Sequence, residues 1–238
     1  MKEKNGHLYL LGGMTVLLLL LQIFLISKNH LESGWDMQVW SRIAGKDMEI
    51  SKTETKKIAL TFDDGPHQKY TPMLLDGLKE RNVKATFFLM GANAEKYPEI
   101  VKRMSMEGHV IGNHSYSHIE LSAVKEAQAC TEITKTNQIL TEYTGKAPEY
   151  IRPPFGAWSH NLDCVTSMIV VLWDIDPLDW KCQNTDQIVK RVVPKAEENA
   201  IILLHDSYET SVEAALQIID KLQKENFEFV TVDEIILE

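Results

Sequence analysis

Short apolar runs alternate with helical stretches over residues 57–238, which predicts an α/β fold with about seven parallel strands. Two observations refine that class. The runs IALTF, ATFFLM, IVVLWDI and AIILL are continuous rather than alternating, as in strands covered by helices on both faces. Polar residues stand just past the C-terminal ends of many strands: Asp63-Asp64, His114, Arg152, Asp176 to Asp179, and His205-Asp206. Periodicity alone leaves a doubly wound sheet and a (β/α) barrel open. The strand-end residues favour a barrel, which gathers all such ends around one mouth.

Ahead of this domain the sequence predicts one N-terminal transmembrane helix. After a short tail, residues 1–7, residues 8–26 carry no charge and as a helix would extend roughly 28 Å, the thickness of a bilayer's hydrocarbon. A cleaved leader has a shorter apolar run and a small-x-small site, which SKNHLESGWD does not offer, so the segment reads as an uncleaved signal anchor. Lysines on both sides leave its orientation unset. Residues 27–56 read as a connector. Trp35, Met37, Val39, Trp40 and Ile43 form a patch suited to a membrane interface or to the domain surface, and a polar stretch then leads into the fold.

Residues 58–62 form the first strand. Thr71-Pro72 opens a helix reaching residue 81, with Thr71 as cap and Pro72 as first helical residue. Residues 85–90 are the second strand. Residues 95–107 are a helix that Gly108 stops, and 110–112 are the third strand. A long helix over 122–143 closes at Gly145. Residues 150–152 are the fourth strand, ended by Pro153-Pro154, and 169–175 the fifth. A helix over 185–199, a strand over 200–204, a helix over 211–226 and a strand over 228–232 complete the chain.

Charge and cysteines exclude several functions. The net charge is −9, and the first thirty residues hold three lysines against one glutamate, so the domain itself is the acidic part. Nothing resembles the basic face that nucleic acid requires. Cys130, Cys164 and Cys182 lack any Cys-x-x-Cys spacing and form neither a disulfide framework nor a thiolate metal site. They read as three reduced, partly buried thiols; if one bridge forms, Cys164–Cys182 closes the shorter loop.

The strand-end motifs carry the chemistry. Asp63 and Asp64 point in different directions at a strand end, so one can bind a cation while the other faces a substrate. A bare Asp-Asp-Gly is more often a solvated turn. His114 and His118, four apart, face the same way on a helical turn and can share a metal. Ser115 stands where a zinc protease would need glutamate. Arg152, before two prolines, is held rigidly and suits a carboxylate clamp. Together these groups supply one Asp and two His ligands with an open coordination position, and a spare Asp, His, Arg and Trp around it: a set for metal-assisted hydrolysis.

In this order, TFDDGP, HSYSH, RPPFG, DPLDW and LLHD resemble the motifs of the polysaccharide deacetylases, the NodB-like metal-dependent carbohydrate esterases, over residues 57–238. The resemblance implies a distorted (β/α) barrel that hydrolyses N-acetyl groups on amino sugars. It implies that Asp64, His114 and His118 hold one divalent metal ion, most often zinc, although Co, Ni, Mn or Fe suit the same donors. Asp63 is then the general base, tethered by Arg152. His205 is the general acid, supported by Asp179 in preference to Asp176. Phe155 offers its backbone N–H to the oxyanion, and Trp180 and Leu203 wall the acetate methyl, with Asp176 in the same pocket.

A membrane anchor points to a glycan polymer of the cell envelope, with peptidoglycan N-acetylglucosamine first and chitin oligomers or O-acetylated glycans as alternatives. The expected partners are that glycan and, through residues 8–26, the membrane; the expected location is a single-pass cell-membrane protein with its catalytic domain extracytoplasmic. A glycan-binding module with an idle site would lack a ligand or base, and Asp63, Asp64, His114 and His118 are all present. A metal amidase acting on other amides remains a rival. Trp158, Tyr116 and Trp180 beside the motifs lean towards sugar.

Overall fold

The structure, a computed structural model, describes residues 55–236 apart from 159–161, 163, 165 and 166. The expected anchor at 8–26 and the connector up to residue 54 lie outside the described residues. Among the described residues no helix is long and apolar enough to cross a membrane.

Among the described residues seven parallel strands form one curled sheet. They are β1 (Lys56–Asp63), β2 (Thr86–Leu89), β3 (Val110–Asn113), β4 (Tyr150–Ile151), β5 (Ile169–Val170), β6 (Ile201–His205) and β7 (Phe227–Val230). The order runs β5-β4-β3-β2-β1-β6, and β7 pairs with the first half of β1. On the far side the curl is joined by a single parallel bridge, Ile175 to Ile202. The expected barrel is therefore present in distorted form, nearly open at that seam.

Alternation along β1 sets the layers. Ile58, Leu60 and Phe62 face outward into the main core with Phe87, Leu89, Ile202 and Leu204. Covering them are Leu74, Leu75 and Leu78 of α1 (Tyr70–Glu80), Ile188 and Val192 of α6 (Thr185–Val192), and Ile218, Ile219 and Leu222 of α7 (Glu209–Leu222). Each such burial contributes about 1.5–3 kcal/mol. Ala59, Phe88, Tyr150 and Val171 fill the concave side, with Val232 of α8 (Val232–Ile236) packed on them. Thr61 and Asp63 share the inward face of β1 with Ala59, so β1 itself aims a carboxylate into the sheet's concavity.

Several element boundaries differ from the sequence expectation. The helix over 95–107 is two helices, α2 (Gly91–Lys96) and α3 (Pro98–Met106), because Pro98 cannot continue a helix and starts a new one. Thr71 is not a cap: α1 starts at Tyr70, and the Thr71 hydroxyl turns to the loop before it, accepting the His67 N–H at 2.7 Å. The long helix is a 3₁₀ turn, Leu121–Ala123, followed by α4 (Glu126–Thr144), which ends on Gly145 in the left-handed conformation, φ 74°, that glycine adopts freely. The run 169–175 is not one strand. It stays on β4 through Val171, whose N–H donates to the Ile151 carbonyl, then crosses to β6, where Asp174 and Ile175 donate to the Ile201 carbonyl. A four-residue helix, α5 (Asp179–Cys182), starts within the DPLDW motif, at its second aspartate.

The cysteines also differ. Cys130 and Cys164 are bridged, with their Cα atoms 5.6 Å apart, and Cys182 is the free thiol. α4 runs beside the segment that follows β4, and Ala129, Ile133, Ile151 and Leu162 pack there as a second core. That packing brings Cys130, not the nearer-in-sequence Cys182, to Cys164.

His109, buried before β3, accepts the Ala85 N–H at 3.1 Å. Burial, helped by the Lys84 charge, pushes its imidazole down to about 4 from the ordinary 6.5. The unfolded chain therefore takes up this proton below about pH 6.5 while the folded chain does not. Stability present above that pH is lost as pH falls towards 4, by on the order of 3 kcal/mol. His109→Gln keeps an acceptor for Ala85 and removes the titration, so its urea midpoint should fall less than that of the wild type between pH 7 and 4. Parallel curves for the two chains would rule this out.

Candidate metal-dependent active site

The C-terminal ends of β1, β3, β4 and β6 and the turn before α5 surround a cavity of about 410 Å³. Asp63, Asp64, His114, His118, Phe155, Asp176, Trp180, Leu203 and His205 line it, so most residues singled out in the sequence meet at one mouth. Arg152 and Asp179 stand directly behind them.

Arg152 is fully buried and fills the inward side of the sheet. Its Nη1 donates to Asp63 Oδ1 at 2.8 Å and to Thr61 Oγ1 at 2.7 Å. Nε and Nη2 donate to the Val171 and Leu172 carbonyls, and the guanidinium stacks 4.2 Å above Phe88. All three guanidinium nitrogens are engaged, so Asp63, itself 3% exposed, is held by a partner that cannot swing.

Asp64, His114 and His118 offer one carboxylate oxygen and two ring nitrogens, all within 4.8 Å of one another. Asp64 Oδ1 is buried, lacks a hydrogen-bond partner, and lies 3.4 Å from His114 Nε2 and 3.3 Å from His118 Nε2. His114 Nδ1 sits 2.7 Å from the Arg152 carbonyl. A proton on Nδ1 makes that bond and leaves Nε2 as a free donor atom, the usual support for a metal-bound histidine. An orphaned carboxylate oxygen between two imidazoles fits a divalent cation with open positions for water and substrate. Burial would raise the Asp64 carboxyl, but the adjoining His114 imidazole, with His118 and His205, outweighs it and holds the carboxyl below the usual range.

The two histidines do not share a helical turn. Residues 114–118 are a loop in which Ser115 and His118 take φ of 60° and 59°. Asp64, Phe155 and Leu178 also have positive φ. For residues other than glycine, asparagine and aspartate this conformation costs about 1–2 kcal/mol each, and Ser115, His118, Phe155 and Leu178 adopt it around the mouth.

His205 forms the opposite wall. Its Nδ1 is 2.8 Å from Asp179 Oδ1, and its backbone N–H donates to Asp179 Oδ2 at 2.9 Å. Ser211 Oγ also donates to Asp179 Oδ2, at 2.6 Å. Burial would lower the imidazole, but the hydrogen bond and charge of Asp179, with Asp63 and Asp64, lift it to about 9. His205 therefore carries a proton at neutral pH and presents Nε2, 4.0 Å from Asp64 Oδ2. Asp176 does not reach His205; it accepts the Leu178 N–H at 2.7 Å and caps the turn into α5.

Two lining residues, Trp173 and Tyr208, carry no site reading in the sequence, and Asp206, marked there only as a strand-end residue, gains a role. Trp173 and Tyr208 line the cavity, the first from the crossover after β5 and the second from the turn before α7. Asp206, fully buried, accepts the Thr71 hydroxyl. A Cβ on Gly65 would lie 2.6 Å from both Asp206 carboxylate oxygens, so glycine is required there. Burial, with the Asp64 charge adding and Thr71 opposing, pushes Asp206 up to about 7. In the other direction, Trp158 packs in the second core and Tyr116 lies under Lys135, so neither lines the cavity.

Residues 50–168 match the family model described as Polysaccharide deacetylase. The chain is 46% identical over 182 residues to a peptidoglycan-N-acetylglucosamine deacetylase of Bacillus cereus, covering 74% of this chain and 66% of that protein. It is 43% identical over 193 residues to the peptidoglycan-N-acetylmuramic acid deacetylase PdaC of Bacillus subtilis, covering 79% and 41%. A PdaC structure superposes with a TM-score of 0.74 at 42% identity, over 76% of this chain and 90% of that one. A family 4 acetyl xylan esterase from Clostridium thermocellum, solved with a cobalt ion, superposes with a TM-score of 0.72 at 34% identity, over 76% and 91%. The chain thus spans two thirds or less of the full length of these two curated relatives.

Proposed function

The chain belongs to the polysaccharide deacetylase family, and from that membership we propose that it removes N-acetyl groups from amino sugars of a cell-wall glycan, with peptidoglycan N-acetylglucosamine as first substrate. The observation that carries this reading is the Arg152-held Asp63 beside the Asp64–His114–His118 cluster, facing a protonated His205 across one cavity. Relatives named for peptidoglycan deacetylation support the substrate.

Asp64, His114 and His118 would hold the cation, zinc being the metal that such a donor set most often takes. When bound, it supplies a Lewis acid for the amide carbonyl and an acidified water. Asp63 accepts the water's proton on Oδ2, because Oδ1 is engaged by Arg152. The backbone N–H of Phe155 donates to the oxygen that gains charge; one such donor is typically worth about 10²–10³ in rate. His205 hands its proton from Nε2 to the departing amine, and Asp179 stabilises the imidazolium until then. Trp180 and Leu203 exclude water around the acetate methyl, and Trp173 and Tyr208 widen the apolar wall.

The uncharged residues 8–26 support a single membrane anchor with residues 57–238 as the catalytic domain on the extracytoplasmic side. The Cys130–Cys164 bridge supports that placement, since disulfides persist in oxidising compartments. The likeness to an acetyl xylan esterase supports a second reading, cleavage of O-acetyl esters, because the same groups serve an ester.

The test is acetate release by the purified full chain from peptidoglycan, chitin oligomers and acetylated xylan, with chelator and with zinc restored. Chelator-sensitive acetate from peptidoglycan is the expected result. Acetate from chitin oligomers alone moves the target to another glycan, and from xylan alone establishes the esterase reading. No acetate from any of them, with metal bound, would sink the deacetylase proposal.

A further inference from the structure

The loop carrying the two histidines is not a conformation its own residues favour, with Ser115 and His118 both at positive φ. Its shape must be imposed from outside, and its backbone groups show by what. The Ser115 and Tyr116 carbonyls accept from Gly91 and Ala92 N–H at 2.9 and 3.0 Å, at the start of α2. Ser115 N–H donates to Asn113 Oδ1 at 2.7 Å, and His118 N–H to Ser115 Oγ at 3.0 Å. Two of the three amides between the histidines, those of Tyr116 and Ser117, both donate to one group on α4, Glu132 Oε2, at 3.0 and 2.7 Å. The Ser117 hydroxyl donates to the same carboxylate, 2.9 Å from Oε1.

Glu132 is the charged member of this set of partners. A carboxylate receiving N–H groups binds them about twice as strongly as a neutral acceptor does. The helix beneath it is fixed as well: Cys130, two residues earlier, is bridged to Cys164, and Ala129 and Ile133 are buried in the second core.

We infer that Glu132 is a positioning residue for the metal centre, clamping the 116–117 backbone so that His114 and His118 converge on Asp64. Its hydrogen bonds go to the loop and not to either imidazole. The inference rests on the proposed metal site, and it makes metal affinity, rather than the chemical step, the property that Glu132 controls.

The experiment is a cobalt titration of the full chain, followed by visible absorbance, for wild type, Glu132→Ala, Glu132→Gln and a control, Asp220→Ala. The control breaks an ion pair with Arg81, at 2.7 Å, on the outside of the fold. Glu132→Ala should weaken cobalt binding about 10–100-fold, the range for groups that orient metal ligands, with kcat recovering at saturating metal. Glu132→Gln, whose amide oxygen still accepts both N–H groups, should lose less than tenfold. Asp220→Ala should bind as the wild type does, even where its melting temperature falls. Wild-type affinity in Glu132→Ala, or equal weakening in Asp220→Ala, overturns the inference. If Glu132→Ala does not fold, Glu132→Gln combined with Ser117→Ala takes its place, with roughly tenfold weakening expected and none overturning the inference. A wild-type chain that takes up no cobalt overturns the metal-site reading itself, a distinct outcome.

Discussion

Asp63→Asn is expected to lower kcat on an N-acetylated glycan by about 10²–10⁴-fold, the range that a positioned general base supplies, while bound metal stays at the wild-type level. The geometry separates these two effects. Asp63 is not in the cluster formed by Asp64, His114 and His118. Its Oδ1 faces Arg152, and an asparagine Oδ1 can accept the same N–H at the same place. What disappears is the basic oxygen. The negative charge opposite a fully buried guanidinium also disappears, so some thermal stability should go with it, less than the roughly 3–5 kcal/mol lost when a buried charge is left without any partner. Acetate release at saturating metal, paired with elemental analysis, checks both halves. Wild-type turnover in this variant would remove Asp63 from the mechanism.

His114→Ala should show the opposite signature, with metal and activity lost together. Its side chain is the most buried of the cluster, 3% exposed, and is oriented by the Arg152 carbonyl. Removing it leaves one carboxylate and one imidazole, and metal affinity should fall by more than the 10–100-fold typical of groups that merely orient a ligand. Excess zinc should restore little activity, unlike in Glu132→Ala, where the ligands remain. A His114→Ala chain that retains metal at wild-type stoichiometry would refute the ligand assignment.

The parts of this site legible in the sequence are those whose chemistry is written in adjacent residues. Asp63-Asp64 at the end of an apolar run, the His114/His118 pair and Arg152 before two prolines each announce a strand end, and the curled sheet gathers such ends. Supporting groups are legible only in three dimensions. Glu132 and Asp206 look like an ordinary helix glutamate and the tail of a motif until their partners, sixteen and 135 residues away, are in place. Trp173 sits in an apolar run that reads as one strand; the run leaves β4 after Val171 to reach β6, and that crossover carries the ring to the mouth. Spacing misled on His114 and His118, because a separation of four suggests a helix while the loop between them runs through left-handed residues. Loop length misled on the cysteines, because packing between α4 and the segment after β4 decides which pair meets.

The same left-handed residues have a consequence for how this chain can change. Ser115, His118, Phe155 and Leu178 occupy positions where asparagine or glycine would sit at lower conformational cost. Stability left unclaimed is thus concentrated at the rim of the reaction centre, and the outer shell of helices holds comparatively little of it. Selection for heat tolerance alone would find its gains at these positions and erode turnover as it took them. Selection that also monitors acetate release would be driven to the periphery, to helix ends and surface charges, where the fold can be strengthened without touching the reactive groups.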